Sequence, residues 1–340
     1  MGKQINNKLF LGALGAGALL AARVLIRQAN AYSFRGQVVL ITGGSRGLGL
    51  LIARELAREG ARLAICARDE DELQRAQAEL GQMTEVIAIP CDVSDRQQVE
   101  AFVEAAQNHF GQIDVLINNA GIISVGPMDV MTVEDYEQAM RIHFWGPLYA
   151  VLAVLPGMRR RGQGRIVNVS SIGGKLSVPH LLPYSASKFA LVGLSEGLRA
   201  ELRKDGIIVT TVCPGLMRTG SPRNASFKGQ NEAEYAWFKI SDSLPLTSMN
   251  ARRAARQIID ATRHGDAEVV LTVQAKAAAL FHGVFPGLTA DLLGLVNQLL
   301  PDAGGIGTGR AKGRASESEL SRSWLTALTD RAAEENNQVH

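Results

Sequence analysis

Tyr184 and Lys188, the ends of the stretch YSASK, put a phenol and an ammonium four residues apart among small side chains. On a helix, side chains at that spacing share one face, a turn apart. A buried ammonium beside a phenol lowers the cost of a phenolate, so the pair suits proton exchange near neutral pH with a group held against it. Tyr184 alone, at a helix start, reads as structural. Ser171, thirteen residues earlier at the end of a strand-like run, tips the balance toward chemistry.

A second constellation, TGGSRGLG from Thr42 to Gly49, follows the strand-like QVVLIT and opens into the helix-like LGLLIARELAREG. Gly43, Gly47 and Gly49 let the backbone turn tightly and approach a pyrophosphate, which backbone N–H groups and the helix dipole then meet. Strand before and helix after is the context a dinucleotide fingerprint requires. The second strand-like run ends on Ala67 and Arg68, where an acidic residue would accept from the ribose hydroxyls of NAD. Arg68, with Arg46 inside the loop, suits a 2′-phosphate instead and favours NADP(H) over NAD(H). The alternative is a solvated Arg68 with Asp69 on the ribose.

These groups need a frame. Apolar β-branched runs (EVIAIP, DVLIN, RIVNVS, IIVTTVC, AEVVLT) alternate with amphipathic stretches, among them one long helix from Thr132, its cap, to Met158 and another from Pro183 to about Lys204. Continuous apolar strands between helices predict an α/β fold, a doubly wound parallel sheet (Rossmann-like) that binds ligands at the carboxyl ends of its strands. The predicted organisation is an N-terminal hydrophobic helix over 1–36, one catalytic domain over 37–275 with a mobile lid at 220–249, an apolar extension at 276–300 and a polar tail at 301–340. The lid carries an aromatic helix around EYAWF. The extension lies on a membrane surface or caps the sheet edge, and the glycine-rich tail reads as flexible up to a last helix around Leu320, Trp324 and Leu328.

Composition narrows the classes. The 340 residues are 46% apolar with a net charge of +3, and the basic cluster at Arg159–Arg165 has no interleaved aromatics, which argues against nucleic acid. Cys66, Cys91 and Cys213 lack CxxC spacing and the histidines are scattered, so neither disulfides nor a metal site is expected. The run from Leu9 to Ile26 is apolar apart from Arg23 and about one membrane span long. Arg23 and Arg27 sit where a cleavable signal carries no charge, which favours an uncleaved anchor with snorkelling arginines over a packed helix or a signal peptide. The expected location is a membrane with the catalytic domain in the cytoplasm, or a soluble cytoplasmic protein if the segment packs.

The glycine loop, CDV at Cys91–Val93, NNAG at Asn118–Gly121, RIVNVSS ending at Ser171, YSASK and PGLMRT at Pro214–Thr219 follow one another as in the short-chain dehydrogenase/reductase family, which the chain resembles from about Gln37 to Thr272. The resemblance implies Tyr184 as acid/base, Lys188 on the nicotinamide ribose and lowering the tyrosine's pKa, and Ser171 steadying the substrate oxygen. It implies cofactor contacts from Gly43, Ser45, Arg46, Gly47, Leu48 and Gly49, from Asp92 and Val93 near the adenine beside Arg68, and from Asn119, Ala120 and Gly121. Pro214, Gly215, Met217 and Thr219 complete the set, with Thr219 on the nicotinamide carboxamide and Asn118 bracing the sheet.

One position departs. Where the family usually has an asparagine that holds a relay water, this chain has His143, either a substitute proton relay or a packed core histidine; the relay reading is favoured. His180 precedes Tyr184 and is read as loop packing rather than pocket lining. Ile123, Pro214 and the lid residues Tyr235, Trp237 and Phe238 are expected to give the pocket an apolar wall. The expected activity is NADP(H)-dependent reduction of an apolar, lipid-derived carbonyl, or the reverse oxidation, by a homodimer or tetramer. The alternatives are a non-catalytic NADP-binding scaffold and an isomerase with tightly bound cofactor.

Overall fold

The computed structural model of the protein describes residues 25, 27–28, 31–245, 247–323 and 326–339. The expected anchor at 9–26 lies outside them except for Leu25, as does Trp324. Among the described residues no helix is long and apolar enough to cross a membrane.

The chain opens with β1 (Val38–Thr42), α1 (Gly47–Arg58), β2 (Arg62–Ala67), α2 (Glu70–Leu80), β3 (Val86–Pro90), α3 (Arg96–Phe110), β4 (Val115–Asn118) and the short β5 (Ser124–Val125). It continues through α4 (Val133–Met140), a wide π turn (Arg141–Trp145), α5 (Gly146–Arg161), β6 (Gly164–Val169), α6 (Leu182–Leu202) and β7 (Ile207–Cys213). Then follow β8 (Leu216–Arg218), β9 (Ser226–Phe227), α7 (Asn231–Ser243), β10 (Ser248–Asn250), α8 (Ala251–His264) and β11 (Glu268–Val270). The last elements are α9 (Val273–Val284), α10 (Pro286–Asn297), β12 (Ala311–Lys312) and α11 (Ala327–Glu335).

Seven strands form one parallel sheet in the order β11-β7-β6-β4-β1-β2-β3. Alternate residues of its strands feed opposite faces. Val39, Ile41, Leu63, Ile65 and Ile117 pack with α1 and α8, whereas Val38, Leu40, Ala64, Leu116 and Ile166 pack with α3 and α5. Both faces are dry, which is why these strands read as unbroken apolar runs. Truncating fully buried Phe102 of α3 to alanine costs about 3–5 kcal/mol. The strand order reverses between β1 and β4, and there the carboxyl ends of the strands open a crevice.

Four expectations are corrected. The long helix from Thr132 is broken by the π turn at Arg141–Trp145, although Thr132 does cap it through a reciprocal box with Asp135. The lid aromatics do not face the pocket: Tyr235 and Phe238 are buried with Val125, Leu181 and Phe227 in a third core, and Trp237 packs against it. The extension at 276–300 does not cap the sheet edge, since Leu280, Val284, Phe285, Leu288, Leu295 and Leu299 of α9, α10 and the turn after them are exposed. The glycine-rich tail follows a defined path. Strand β12 pairs with β9, which pairs with β5, and α11 leads into residues 336–338 lying on the first loop. Partners on the lid and that loop bond the tail at Ser316, Asn336 and Asn337, which composition alone does not reveal.

Candidate active site

The crevice is a cleft of about 810 Å³. One wall is the glycine loop. Gly47 opens α1 with φ +56°, and a Cβ on Gly49 would overlap the carbonyl oxygen of Gly43 and lie 2.6 Å from Asn119 Nδ2, so neither position accepts a side chain without strain. Asn119 fixes the loop by donating from Nδ2 to the carbonyls of Thr42 (3.2 Å) and Gly43 (3.0 Å). Close backbone approach at a helix N-terminus fits a dinucleotide pyrophosphate. Every residue expected to touch the cofactor lines the cleft except Gly49, which lies beneath the loop.

At the adenosine end, Arg46 pairs with buried Glu72 at 2.5 Å and Arg68 stands 3.8 Å from Asp92. Asp69, the alternative ribose partner, also lines the cleft. Its side chain accepts from Glu72 N (2.9 Å) and caps α2.

The opposite end holds the hydroxyl and ammonium groups. Strand β6 delivers Ser171 and α6 carries Tyr184 and Lys188 on one face. The Tyr184 hydroxyl lies beside Ser171, whose Oγ accepts from Gly173 N at 3.0 Å. Lys188 Nζ donates to the carbonyl of Val169 (2.9 Å) and lies 5.7 Å from the Tyr184 ring centroid. Burial pushes the Lys188 pKa down to about 8. Burial also raises that of Tyr184, which the Ser171 bond partly offsets. In the protein alone, desolvation therefore outweighs the hydrogen bond.

His143, in the π turn, packs edge-on against Tyr184 with ring centroids 5.4 Å apart. Its Nε2 accepts from Ile122 N (3.1 Å), so Nδ1 carries the proton and donates to Ser187 Oγ (2.7 Å), which donates to the Tyr184 carbonyl (2.8 Å). Burial and the charge of Lys188 hold the imidazole well below its usual pKa, hence neutral. With both nitrogens bonded to protein, neither is left for a bridging water, which corrects the relay reading. Asn118 donates to Asn168 Oδ1 at 2.9 Å and ties β4 to β6. His180 Nδ1 is 2.6 Å from Glu234, which also accepts from Trp237 Nε1 (2.7 Å), so it pins the loop to α7 outside the cleft.

Several cleft residues escaped sequence reasoning. Gln138, Asn224, Arg310, Lys312 and Gln338 all line it. Gly47 N donates to the Asn336 carbonyl (2.9 Å), and Asn337 Nδ2 donates to the carbonyls of Ser45 (2.9 Å) and Glu72 (3.1 Å). Nothing in a low-complexity stretch signals such long-range contacts.

Sheet, cradle and buried acid–base group together define a nicotinamide-dependent oxidoreductase of the Rossmann type. The chain belongs to the short chain dehydrogenase family, matching it over residues 37–228. It is 37% identical over 245 residues to a putative ketoacyl reductase of the granaticin polyketide synthase of Streptomyces violaceoruber, covering 70% of this chain and 90% of the relative. A short chain dehydrogenase/reductase from Burkholderia phymatum, solved in complex with NAD, aligns with a TM-score of 0.70 at 27% identity over 76% of this chain and 96% of the other. The L-sorbose reductase of Gluconobacter frateurii, complexed with NADPH and L-sorbose, aligns with a TM-score of 0.63 at 26% identity, covering 70% and 96%. Solved members of the fold thus carry either dinucleotide.

Proposed function

We propose that the protein is an NADP(H)-dependent oxidoreductase that reduces the keto group of an apolar, acyl-bearing substrate, or oxidises the corresponding alcohol. The observation that carries this is the Ser171–Tyr184 hydroxyl pair facing the same cleft as the glycine loop, with Lys188 held against Val169 beside it. Bound in this cleft, a reduced nicotinamide supplies the hydride. Ser171 and Tyr184 orient the carbonyl oxygen between their hydroxyls, and the Tyr184 hydroxyl gives it a proton. Lys188, charged below pH about 8, holds the nicotinamide ribose and offsets the negative charge left on the phenol. Thr219 would hold the nicotinamide amide, with Pro214 and Gly215 beside it in the cleft, and Asp92 and Val93 would flank the adenine.

Arg46 and Arg68 at the adenosine end, with Asp69 occupied as a helix cap, support NADP(H) over NAD(H). The similarity to a ketoacyl reductase and the apolar Ile122, Ile123 and Pro214 in the cleft support an acyl substrate. The test is turnover of a carbonyl panel with NADPH and NADH. Tyr184→Phe should lower kcat ~10²–10⁴-fold while still binding cofactor. Equal, negligible turnover by both proteins would favour a cofactor-binding scaffold, and product without net cofactor consumption an isomerase.

Attachment of a cytoplasmic catalytic domain to a membrane rests on the apolar run at 9–26 and on the exposed apolar hairpin α9–α10, whose first turn packs against Gly215 at the cleft. Co-sedimentation with vesicles, with and without residues 1–30, tests it; an unbound full-length protein counts against it. Assembly as a homodimer or tetramer through α5 and α6 is supported by exposed Leu152 and Phe189 and by open space at Gly193 and Gly197. Light scattering decides it, a monomer at micromolar concentration refuting the assembly.

A further inference from the structure

The segment after residue 300 adds a cation to the adenosine end of the cleft. Strand β12 runs antiparallel to β9 with Lys312 opposite Ser226, which brings Lys312 to the same wall as Arg46 and Arg68. The placement is fixed on several sides. Lys312 Nζ donates to the Asn224 carbonyl (3.2 Å), its own carbonyl accepts from Ser316 Oγ (3.1 Å), and Ser316 Oγ accepts from Asn231 Nδ2 of α7 (2.9 Å).

The charges around it are unequal. Arg46 has Glu72, Arg68 has Asp92, and Arg310 pairs with Asp135 at 2.7 Å. Lys312 has a carbonyl but, among the described residues, no carboxylate. Partial desolvation of its ammonium against the cleft and the like charges of Arg68, Arg46, Arg314 and Arg310 all press its proton off. Four cations, Arg46, Arg68, Arg310 and Lys312, thus share three carboxylates along the cleft, which leaves a place for an anion as a further partner.

We propose that Lys312 is a specificity-determining residue that binds the 2′-phosphate of NADP(H) together with Arg46 and Arg68. The idea rests on the NADP(H) reading above and adds to it a contact from outside the segment shared with the family, since Lys312 lies beyond residues 37–228. A dianionic phosphate has three acceptor oxygens, enough for a guanidinium on each side and an ammonium from the tail. Because Lys312 is exposed, its substitution leaves the core intact.

The experiment is equilibrium binding by calorimetry of adenosine 2′,5′-bisphosphate and of AMP to the full-length protein, alongside kcat/KM with NADPH and NADH. The wild type is expected to prefer the bisphosphate, with Lys312→Gln weakening its binding about tenfold, leaving AMP and NADH unchanged, and Lys312→Arg restoring most of the loss. Circular dichroism and melting of each variant check the fold. A Lys312→Gln protein with the wild-type preference, or one weakened equally toward both ligands, overturns the role of Lys312 while leaving the NADP(H) reading in place. A wild type that does not distinguish the two ligands overturns that reading and the inference with it.

Discussion

His143 Nδ1 lies 2.7 Å from Ser187 Oγ, and that hydroxyl bonds the carbonyl of Tyr184. The imidazole thus props the first turn of α6 from below while its other nitrogen takes the Ile122 N–H. Its role is to position Tyr184. His143→Ala removes a buried ring and strands two polar partners, so a loss of about 2–4 kcal/mol in denaturant unfolding is expected. The ring's depressed pKa means its NMR signals stay at neutral-imidazole positions through the ordinary histidine midpoint of 6.5; titration there would contradict the geometry.

Lys188 binds its proton less tightly folded, at about 8, than the ordinary 10.5. Between those values the unfolded chain holds more protons, so stability attributable to this residue rises with pH. Below 8 the native state carries a buried ammonium at full cost. Lys188→Met should therefore melt above the wild type at pH 7, the gap closing toward pH 10.5, while turnover is lost. A melting difference that does not change with pH would refute this account.

Asp242 shifts the other way. Burial lifts its carboxyl from 3.8 to about 8, and one of its oxygens has no partner. The native state holds the extra proton between those values, so stability from this group is full below about pH 4 and falls as pH rises through 8. Asp242→Asn should match the wild type near pH 4 and exceed its melting temperature increasingly up to about pH 8, where the gap levels off. Scanning fluorimetry across that range reads the difference directly, and parallel curves would disprove it.

Asn337→Ala removes two bonds to the carbonyls of Ser45 and Glu72. The glycine loop loses support without losing any cation. The KM for NADPH and for NADH should rise together, about 3- to 10-fold. A change confined to one cofactor would contradict a supporting role.

Gly49→Ala sets a methyl against Gly43 O and Asn119 Nδ2. Cofactor binding should fall below detection in calorimetry, because the cradle cannot close without moving the loop. A variant with wild-type affinity would show that the cradle is not the binding site.

Much of this was legible in the sequence. Strands such as VVLIT and IIVTTVC announce a sheet covered on both faces, since every residue along them is apolar or β-branched. Gly43, Ser171, Tyr184 and Lys188 were found because their chemistry depends on local spacing, which the chain order preserves. What stayed hidden is nonlocal. Helical periodicity passes unbroken through Arg141–Trp145, so the π turn that seats His143 left no mark. Tyr235 and Phe238 have the composition of a pocket wall but bury into their own core, a choice made by Phe227 and Leu181 across the lid. The tail after Pro301 looks unstructured because its partners are far away in the chain.

Ser45 and Asn337 touch across 292 intervening steps of chain. The loop expected to grip the cofactor is therefore synthesised well before the residue that braces it. A nick between exposed Glu319 and Leu320 would leave the seven-stranded sheet whole but free the fragment carrying Asn337 to dissociate. Proteolysis at that exposed bend would disarm the enzyme without unfolding it.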